Sequence, residues 1–224
     1  MMEWRKVEQR ESICLNFGGK GDCHPKQHYE NFIAVDLEPT GEYAVAHDLT
    51  QRIPLPDNSV DAILSEHFFE HIEKEHIATL LAESYRVLKP GKLLRIAVPD
   101  YHSPRNLKYL EKGYDPTHTD HKTLTHYPLL KELVDKSPFE NVQFYQYWDG
   151  DEFKYRQIDY SKGMIKRTVD NDDRNSRTGL QRVSGVLRDL VYIASKSFVV
   201  TKNDMLVQRG HPLRMTSIVI DLIK

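Results

Sequence analysis

The sequence predicts an α/β domain built around a mostly parallel β-sheet. Short apolar runs bounded by glycine, proline and polar turn residues recur in its N-terminal half, a pattern typical of strands buried on both faces. Between two of these runs, residues 75–88 carry apolar side chains at helical spacing, so strand, helix and strand follow one another as in a right-handed βαβ unit. The chain has 224 residues, of which 39% are hydrophobic and 29% charged, so it can bury the core of one large domain.

The first four strands are predicted at residues 13–17, 32–37, 44–48 and 60–65. The first run ends in a glycine pair, which indicates a sharp turn or a close approach of the backbone to a ligand. Only about ten residues separate the first two runs, the minimum for a parallel crossover, so we do not expect a full helix between them.

The helix over residues 75–88 is closed by the Lys-Pro-Gly sequence at 89–91, and a fifth strand is predicted at 93–98. The later elements are predicted, in chain order, as a helical turn at 106–111, a helix at 128–136, a strand at 141–148 and a last strand at 216–223. We interpret the segment 150–212 as an insertion or cap within a single domain of residues 1–224.

The charge balance disfavours several classes of partner. Lys and Arg number 31 against 33 Asp and Glu, a formal net charge of −2, so the chain has no global positive field to hold a nucleic acid. No apolar run approaches the roughly 18 residues needed to span a bilayer, and the opening residues lack the apolar core of a signal peptide. We therefore expect neither nucleic acid nor membrane as a partner, a cytoplasmic location, and reduced thiols at Cys14 and Cys23.

The glycine turn and the acid at the end of the second strand are typical of nucleotide-binding α/β sheets. In that arrangement the backbone approaches the ligand at the turn, and the carboxylate, here Asp36, binds the ribose hydroxyls. The dinucleotide fingerprint is not matched because His24 occupies the place of its third glycine, and no P-loop Lys-Ser/Thr pair follows. The alternative is that the glycines form only a tight turn and Asp36 only caps a strand end.

Three segments in order resemble the class I S-adenosylmethionine-dependent methyltransferases, and specifically a type 11-like group with an EHxxEH-like signature after strand four. They are FIAVD, then HDLT with PLPDNSVDAILSEHFFEH, then ESYRVLKPGKLLRIAVPD. The resemblance implies a Rossmann-like methyltransferase sandwich, with a mostly parallel sheet and an antiparallel C-terminal strand. It also implies S-adenosylmethionine as the cofactor.

The resemblance further implies the residues that contact this cofactor. Gly18 and Gly19 would lie against its methionine portion, Asp36 on its ribose hydroxyls and Asp48 near its adenine amino group. The full implied set is Phe17, Gly18, Gly19, Asp36, Leu37, Asp48, Leu49, Ser65, Glu66 and His67. One departure is Lys20, which stands where the group usually has the second glycine of an acid-x-Gly-x-Gly turn.

Titratable side chains are concentrated in residues 66–71. If this segment is helical, its two carboxylates and two imidazoles occupy adjacent positions of one face. It is not an HExxH motif, however, and no third ligand stands at a fixed spacing, so we expect no metal there. A structural or cofactor-positioning role is the preferred interpretation.

A second concentration of titratable side chains lies in residues 116–122, where the resemblance offers a DHK motif near the acceptor. An imidazole has a pKa close to neutral, so it suits the removal of a proton from a hydroxyl that attacks the sulfonium methyl. His121 is the first candidate for this base, with His67 and Asp120 behind it. The alternative is that these side chains only hydrogen-bond the loop together.

These patterns predict a methyltransferase that O-methylates a small molecule or a sugar or glycan hydroxyl, with segment 150–212 shaping the acceptor pocket or a homodimer contact. The alternative is a catalytically inactive, methyltransferase-like binding or scaffold protein. A nucleic-acid methyltransferase is disfavoured because Ser65, Glu66 and His67 stand where such enzymes carry an Asp/Asn-Pro-Pro-aromatic motif.

Overall fold

The computed structural model describes residues 2–19, 32–104, 106–156 and 217–224. Within these ranges, eight strands form one sheet in the order β3-β2-β1-β4-β5-β8-β6-β7. The strands are β1 (Cys14–Phe17), β2 (Phe32–Asp36), β3 (Ala44–Ala46), β4 (Ala62–Glu66), β5 (Leu93–Pro99), β6 (Asn141–Asp149), β7 (Glu152–Tyr155) and β8 (Ser217–Ile223).

The strands β1 to β5 are all parallel, whereas β8 runs antiparallel to its neighbours. β1 lies between β2 and β4, and Phe17 is paired with Val35 on one side and with Ser65 on the other. β8 lies between β5 and β6 and is antiparallel to both. The prediction of a mostly parallel sheet with an antiparallel C-terminal strand is therefore confirmed.

The central strands are continuous apolar runs because both faces of the sheet are covered. Ile33 and Val35 in β2, Ile63 and Leu64 in β4, and Leu94 in β5 are all fully buried. Such runs carry no alternation of apolar and polar residues. The predicted bounds of these strands agree with the observed bounds to within one or two residues at most ends.

The described helices are α1 (Trp4–Glu8), α2 (Lys74–Val87), α3 (Leu107–Lys112) and α4 (Tyr127–Asp135), together with a short 3₁₀ helix at Phe69–His71. α2 packs on the core through Ile77, Leu80 and Leu81. α4 begins where His126 accepts a hydrogen bond from the backbone N–H of Leu129 at 3.4 Å. Among the described residues, none of these helices combines the length and apolar character needed to cross a membrane.

The strand β7 lies within the segment predicted as an insertion. It pairs antiparallel with β6 through a turn at Gly150, whose φ of +60° favours glycine, and so extends the sheet at its edge. The start of the segment 150–212 is thus part of the sheet. Residues 157–216, and the link 20–31 in which no full helix was expected, lie outside the described residues.

A buried ion pair joins β5 to β8. Arg95 donates from Nε to Asp221 Oδ1 and from Nη2 to Asp221 Oδ2, both at 2.7 Å, and both side chains are fully buried. The two residues are directly opposite each other in the antiparallel register. This bidentate pair therefore fixes the position of the last strand against the parallel part of the sheet.

Candidate active site

The carboxyl ends of the parallel strands meet at one edge of the sheet, and the candidate residues follow those ends. Gly18 comes after β1, Asp36 ends β2, Glu66 ends β4 and Pro99 ends β5. Ligands of open α/β sheets bind at this edge. The order of the strands in the sheet therefore brings residues that are far apart in the sequence to this one edge.

The turn after β1 favours glycine at Gly18 and is crowded at Gly19. Gly18 has φ +74°, and its N–H donates to the Val35 carbonyl at 2.9 Å. A Cβ at Gly18 would lie 2.8 Å from the Phe68 side chain, and one at Gly19 would lie 2.5 Å from Asn16 Nδ2. The backbone is thus held close to neighbouring side chains at the point where a ligand would approach.

A cavity of about 630 Å³ opens beside this turn. Of the residues implied as cofactor contacts, the cavity is lined by Gly18, Asp36, Leu37, Asp48, Leu49 and His67. Phe17 and Ser65 are fully buried behind it. Gly19 and Glu66 adjoin lining residues in the chain but are not in the wall themselves.

Asp36, Asp48 and the exposed Leu37 are the lining residues that the resemblance implied as contacts of the adenosine. Asp36 Oδ1 accepts the Glu38 N–H at 2.9 Å, and Leu37 is 69% exposed, so an apolar surface stands next to a carboxylate. Asp48 accepts from the Thr50 hydroxyl at 2.7 Å and from the Thr50 N–H at 2.9 Å. These hydrogen bonds lower the pKa of Asp48, because they stabilise its charged form.

A second cavity, of about 480 Å³, adjoins the first. Its wall contains all three residues predicted as catalytic, His121, His67 and Asp120. His67, His71 and Asp120 line both cavities. The two cavities therefore meet at a cluster of imidazoles and carboxylates, which is where a group could pass from one bound molecule to another.

The segment 66–71 is not the regular helix that its spacing suggested. Glu66 ends β4, His67 has a left-handed backbone with φ +53°, and only Phe69–His71 form a 3₁₀ turn. The expectation of one shared helical face is therefore wrong. His67 is held instead by its N–H, which donates to the Ala97 carbonyl at 2.8 Å, and its Nδ1 lies 3.2 Å from Glu70 Oε1.

The loop that contains the DHK motif is tied directly to this turn. The backbone N–H groups of Lys122 and Thr123 donate to the Glu70 carbonyl at 2.8 and 3.0 Å. The Thr123 hydroxyl donates to the Ile72 carbonyl at 2.7 Å. These bonds bring His121 beside His71, with ring centroids 4.9 Å apart.

A chain of hydrogen bonds determines which nitrogen of His121 carries a proton. The Tyr101 hydroxyl donates to Asp115 Oδ2 at 2.9 Å and lies 2.6 Å from His121 Nδ1. A hydroxyl has one proton, so Tyr101 accepts from Nδ1–H of His121. The Nε2 atom of the neutral ring then carries a lone pair.

The same environment sets the charges along this chain. Burial lowers the pKa of His121 and so favours its neutral form. Burial opposes ionisation of Asp115, but hydrogen bonds from Thr117 and Tyr101 outweigh it and hold the carboxyl pKa well below its usual range. Burial and the neighbouring Asp115 raise the pKa of Tyr101. Tyr101 is therefore a neutral link between a carboxylate and an imidazole.

Sequence reasoning missed Tyr101 and Asp115, and it gave Glu70 no role of its own. Tyr101 follows the end of β5, and Asp115 lies in an irregular loop, so neither belongs to a periodic pattern. Glu70 is completely buried beside His67.

Two groups of side chains in this region could hold a metal ion. Possible ligand atoms of Glu70, His71 and His121 lie within 4.8 Å of one another, and so do those of Asp115, His118 and His121.

Solved structures of known methyltransferases have the same fold. A SAM-dependent methyltransferase from Archaeoglobus fulgidus aligns with a TM-score of 0.55 and 18% identity, over 99% of this chain and 90% of that one. Phosphoethanolamine N-methyltransferase 2 of Haemonchus contortus, in complex with S-adenosyl-L-methionine, aligns with a TM-score of 0.50 and 13% identity, over 99% of this chain and 51% of that one. The fold is that of the class I S-adenosylmethionine-dependent methyltransferases.

A comparison with protein-family models matches part of the sequence. Residues 19–96 match the family model described as "Methyltransferase domain", a segment that runs from the glycine turn into β5. No curated protein sequence matches the chain. Residues 19–96 thus match a methyltransferase domain, within a fold that S-adenosylmethionine-dependent methyltransferases share.

Proposed function

We propose that the protein transfers the methyl group of S-adenosylmethionine to a hydroxyl of a small molecule or of a sugar or glycan. The observation that carries the proposal is the junction of two cavities at His67, His71 and Asp120. One cavity has the features that a nucleoside cofactor requires, and the other is lined by groups that can take a proton from a hydroxyl.

We assign the larger cavity to the cofactor. Asp36 binds the ribose hydroxyls, Asp48 the adenine amino group, and the exposed Leu37 with Leu49 packs on the adenine ring. Gly18 and Gly19 face the methionine portion. The remaining members of the proposed set are Phe17, Ser65, Glu66 and His67, which hold the ends of β1 and β4 around the methyl group.

The transfer itself is an in-line displacement. The acceptor oxygen forms a bond to the methyl carbon, the carbon–sulfur bond breaks, and S-adenosylhomocysteine leaves with the electron pair. We assign the acceptor's proton to Nε2 of His121, because the chain through Tyr101 to Asp115 leaves that atom its lone pair. His67 is the second candidate base. Asp120 contributes by orienting His71, since its Oδ2 lies 3.3 Å from His71 Nδ1.

The acceptor cavity favours a polar, hydroxyl-bearing molecule. Its wall combines four histidines, three carboxylates, one tyrosine and one asparagine, with Pro99 as the apolar exception. Such a wall offers many hydrogen-bond partners to hydroxyls. The cap or homodimer contact predicted for segment 150–212 remains part of the proposal.

A panel of acceptors tests this proposal. The purified protein is incubated with methyl-labelled S-adenosylmethionine and, separately, with monosaccharides, phenols and primary amines, and labelled product is counted. We expect label on hydroxyl acceptors. Labelling confined to amines would overturn the O-methylation assignment, because carboxylates in the wall would then serve to bind a cation.

The variant His121→Ala tests the base. Loss of a general base lowers turnover by about 10²- to 10⁴-fold. We expect this loss in kcat, with the dissociation constant for S-adenosylmethionine unchanged, because His121 lines only the acceptor cavity. Turnover equal to that of the wild type would remove His121 from the mechanism.

A further inference from the structure

We propose that Glu70, His71 and His121 bind a divalent transition-metal ion, whose open coordination positions face the acceptor cavity. One donor atom of each of these residues lies within 4.8 Å of the others. Only the effect of the ion on the acceptor rests on the proposed function. Binding of the ion itself can be measured without either substrate.

The first supporting observation is a buried carboxylate oxygen. Glu70 is completely buried, and its Oε2 has no hydrogen-bond partner among the described residues. Its other oxygen lies 3.2 Å from His67 Nδ1. A buried, unpaired carboxylate oxygen is costly to desolvate, and a cation is the partner that offsets this cost most completely.

The second observation is the tautomer that the hydrogen bonds give to each imidazole. His71 Nδ1 lies 3.3 Å from the Asp120 carbonyl and 3.3 Å from Asp120 Oδ2, both of which only accept, so Nδ1 carries the proton. His121 Nδ1 donates to Tyr101. Each ring therefore keeps its Nε2 lone pair, and each is anchored at Nδ1 as metal-bound histidines usually are.

Two imidazoles and one carboxylate suit a divalent first-row ion such as Zn²⁺ or Mn²⁺. Around such an ion, ligands at about 2.1 Å are separated from one another by about 3.4 Å. The donors therefore have to approach one another by no more than about 1.4 Å when the ion binds. Three protein ligands leave at least one position for water or an acceptor oxygen.

The neighbouring group of Asp115, His118 and His121 is the weaker candidate. Both carboxylate oxygens of Asp115 already accept hydrogen bonds: Oδ1 from the Thr117 N–H and hydroxyl, and Oδ2 from Tyr101. His118 Nδ1 also lies 3.2 Å from Oδ2. A metal ion there would have to replace bonds that already satisfy Asp115, whereas at Glu70 it would satisfy an unpaired oxygen.

Binding of an ion would change the assignment of the base. An acceptor hydroxyl coordinated to the ion becomes more acidic, so a weaker base can remove its proton. With Nε2 of His121 engaged as a ligand, that proton goes to His67, which lines both cavities. The resulting alkoxide attacks the methyl carbon, and the carbon–sulfur bond breaks as before.

Calorimetric titration of chelator-treated protein with Zn²⁺ and with Mn²⁺, without cofactor or acceptor, tests the site. We expect one ion per chain for at least one of the two metals. Glu70→Gln, which keeps the shape of the side chain, should weaken that binding by about 10- to 100-fold or more, the loss typical even for an outer-shell partner. His76→Ala, which removes an exposed histidine of the first cavity, should leave the stoichiometry and affinity unchanged.

His118→Ala separates the two candidate groups. Unchanged affinity in this variant supports the Glu70 group, whereas a loss as large as that of Glu70→Gln would overturn the assignment. Stoichiometric binding that survives Glu70→Gln would identify adventitious binding by other histidines and would also overturn it. Methyl transfer that proceeds at full rate in excess chelator would refute the role of the ion while leaving the proposed function intact.

Discussion

The exchange of Asp36 for alanine is the sharpest test of the cofactor site. We expect it to weaken the binding of S-adenosylmethionine and S-adenosylhomocysteine equally, because both carry the ribose that we assign to this carboxylate. Asp36 Oδ1 already accepts the Glu38 N–H at 2.9 Å, which leaves Oδ2 more acceptor capacity, and we assign one ribose hydroxyl to Oδ2. The binding free energy lost in Asp36→Ala should therefore be that of one charge-assisted hydrogen bond rather than two.

The size of this effect follows from the exposure of the side chain. A hydrogen bond to a charged group contributes about 1.5–3 kcal/mol, and Asp36 is half-buried, so the lower end of that range applies. About 1.5–2 kcal/mol corresponds to a dissociation constant roughly 10- to 30-fold larger. Calorimetric titration of each ligand into wild type and Asp36→Ala measures it directly.

Two further variants make the result interpretable. Asp36→Asn retains an acceptor oxygen but removes the charge, so it should fall between wild type and Asp36→Ala. Glu38→Ala removes an exposed carboxylate two residues away and keeps the backbone N–H that contacts Asp36, so its affinity should equal that of the wild type. A dissociation constant unchanged in a correctly folded Asp36→Ala protein would refute the assignment of the ribose to this edge of the sheet.

Two predictions concern the stability of the sheet that carries the site. Arg95→Met removes the counter-ion of the buried Asp221 and should reduce the unfolding free energy by about 3–5 kcal/mol, a fall in melting temperature of roughly 6–20 °C. The double variant Arg95→Met/Asp221→Leu should recover most of this loss in denaturant titration, and a double variant as unstable as the single one would contradict the reasoning. Burial raises the pKa of Asp100 to about 7, above its value in the unfolded chain, so its contribution to stability is present below pH 4 and is lost as the pH rises through 7. Relative to Asp100→Asn, the unfolding free energy of the wild type should fall by up to about 4 kcal/mol across this window. A difference in unfolding free energy between the two proteins that does not change with pH would exclude the effect.

The sequence was sufficient to predict the sheet because its central strands have a simple physical signature. A strand covered on both faces must be apolar throughout, and β2, β4 and β5 are short enough to be distinguished from helices by length alone. Their parallel arrangement then places Gly18, Asp36 and Asp48 at one edge without any knowledge of side-chain contacts. This part of the candidate site depends only on the order of the elements.

The contacts within the proposed acceptor cavity could not be predicted from the order of the elements. Tyr101, Asp115 and His121 are joined by hydrogen bonds across an irregular loop, and irregular backbone has no period from which proximity could be inferred. The segment at His67 was misjudged because the spacing of its charged residues matches a helix, whereas a left-handed residue interrupts it. Short elements were missed for a related reason: α1 buries only Val7, which is too little for an amphipathic pattern.

The position of β8 between β5 and β6 has a consequence for the synthesis of the protein. On the ribosome, β5 is complete more than a hundred residues before β8 is made, so one edge of the parallel sheet has no partner during that interval. Unpaired strand edges are the surfaces through which nascent chains associate wrongly. The sheet becomes continuous, and Arg95 acquires the Asp221 carboxylate, only when Ser217–Ile223 have left the exit tunnel. Late closure of this kind makes the nascent chain a candidate for protection by chaperones until that strand inserts.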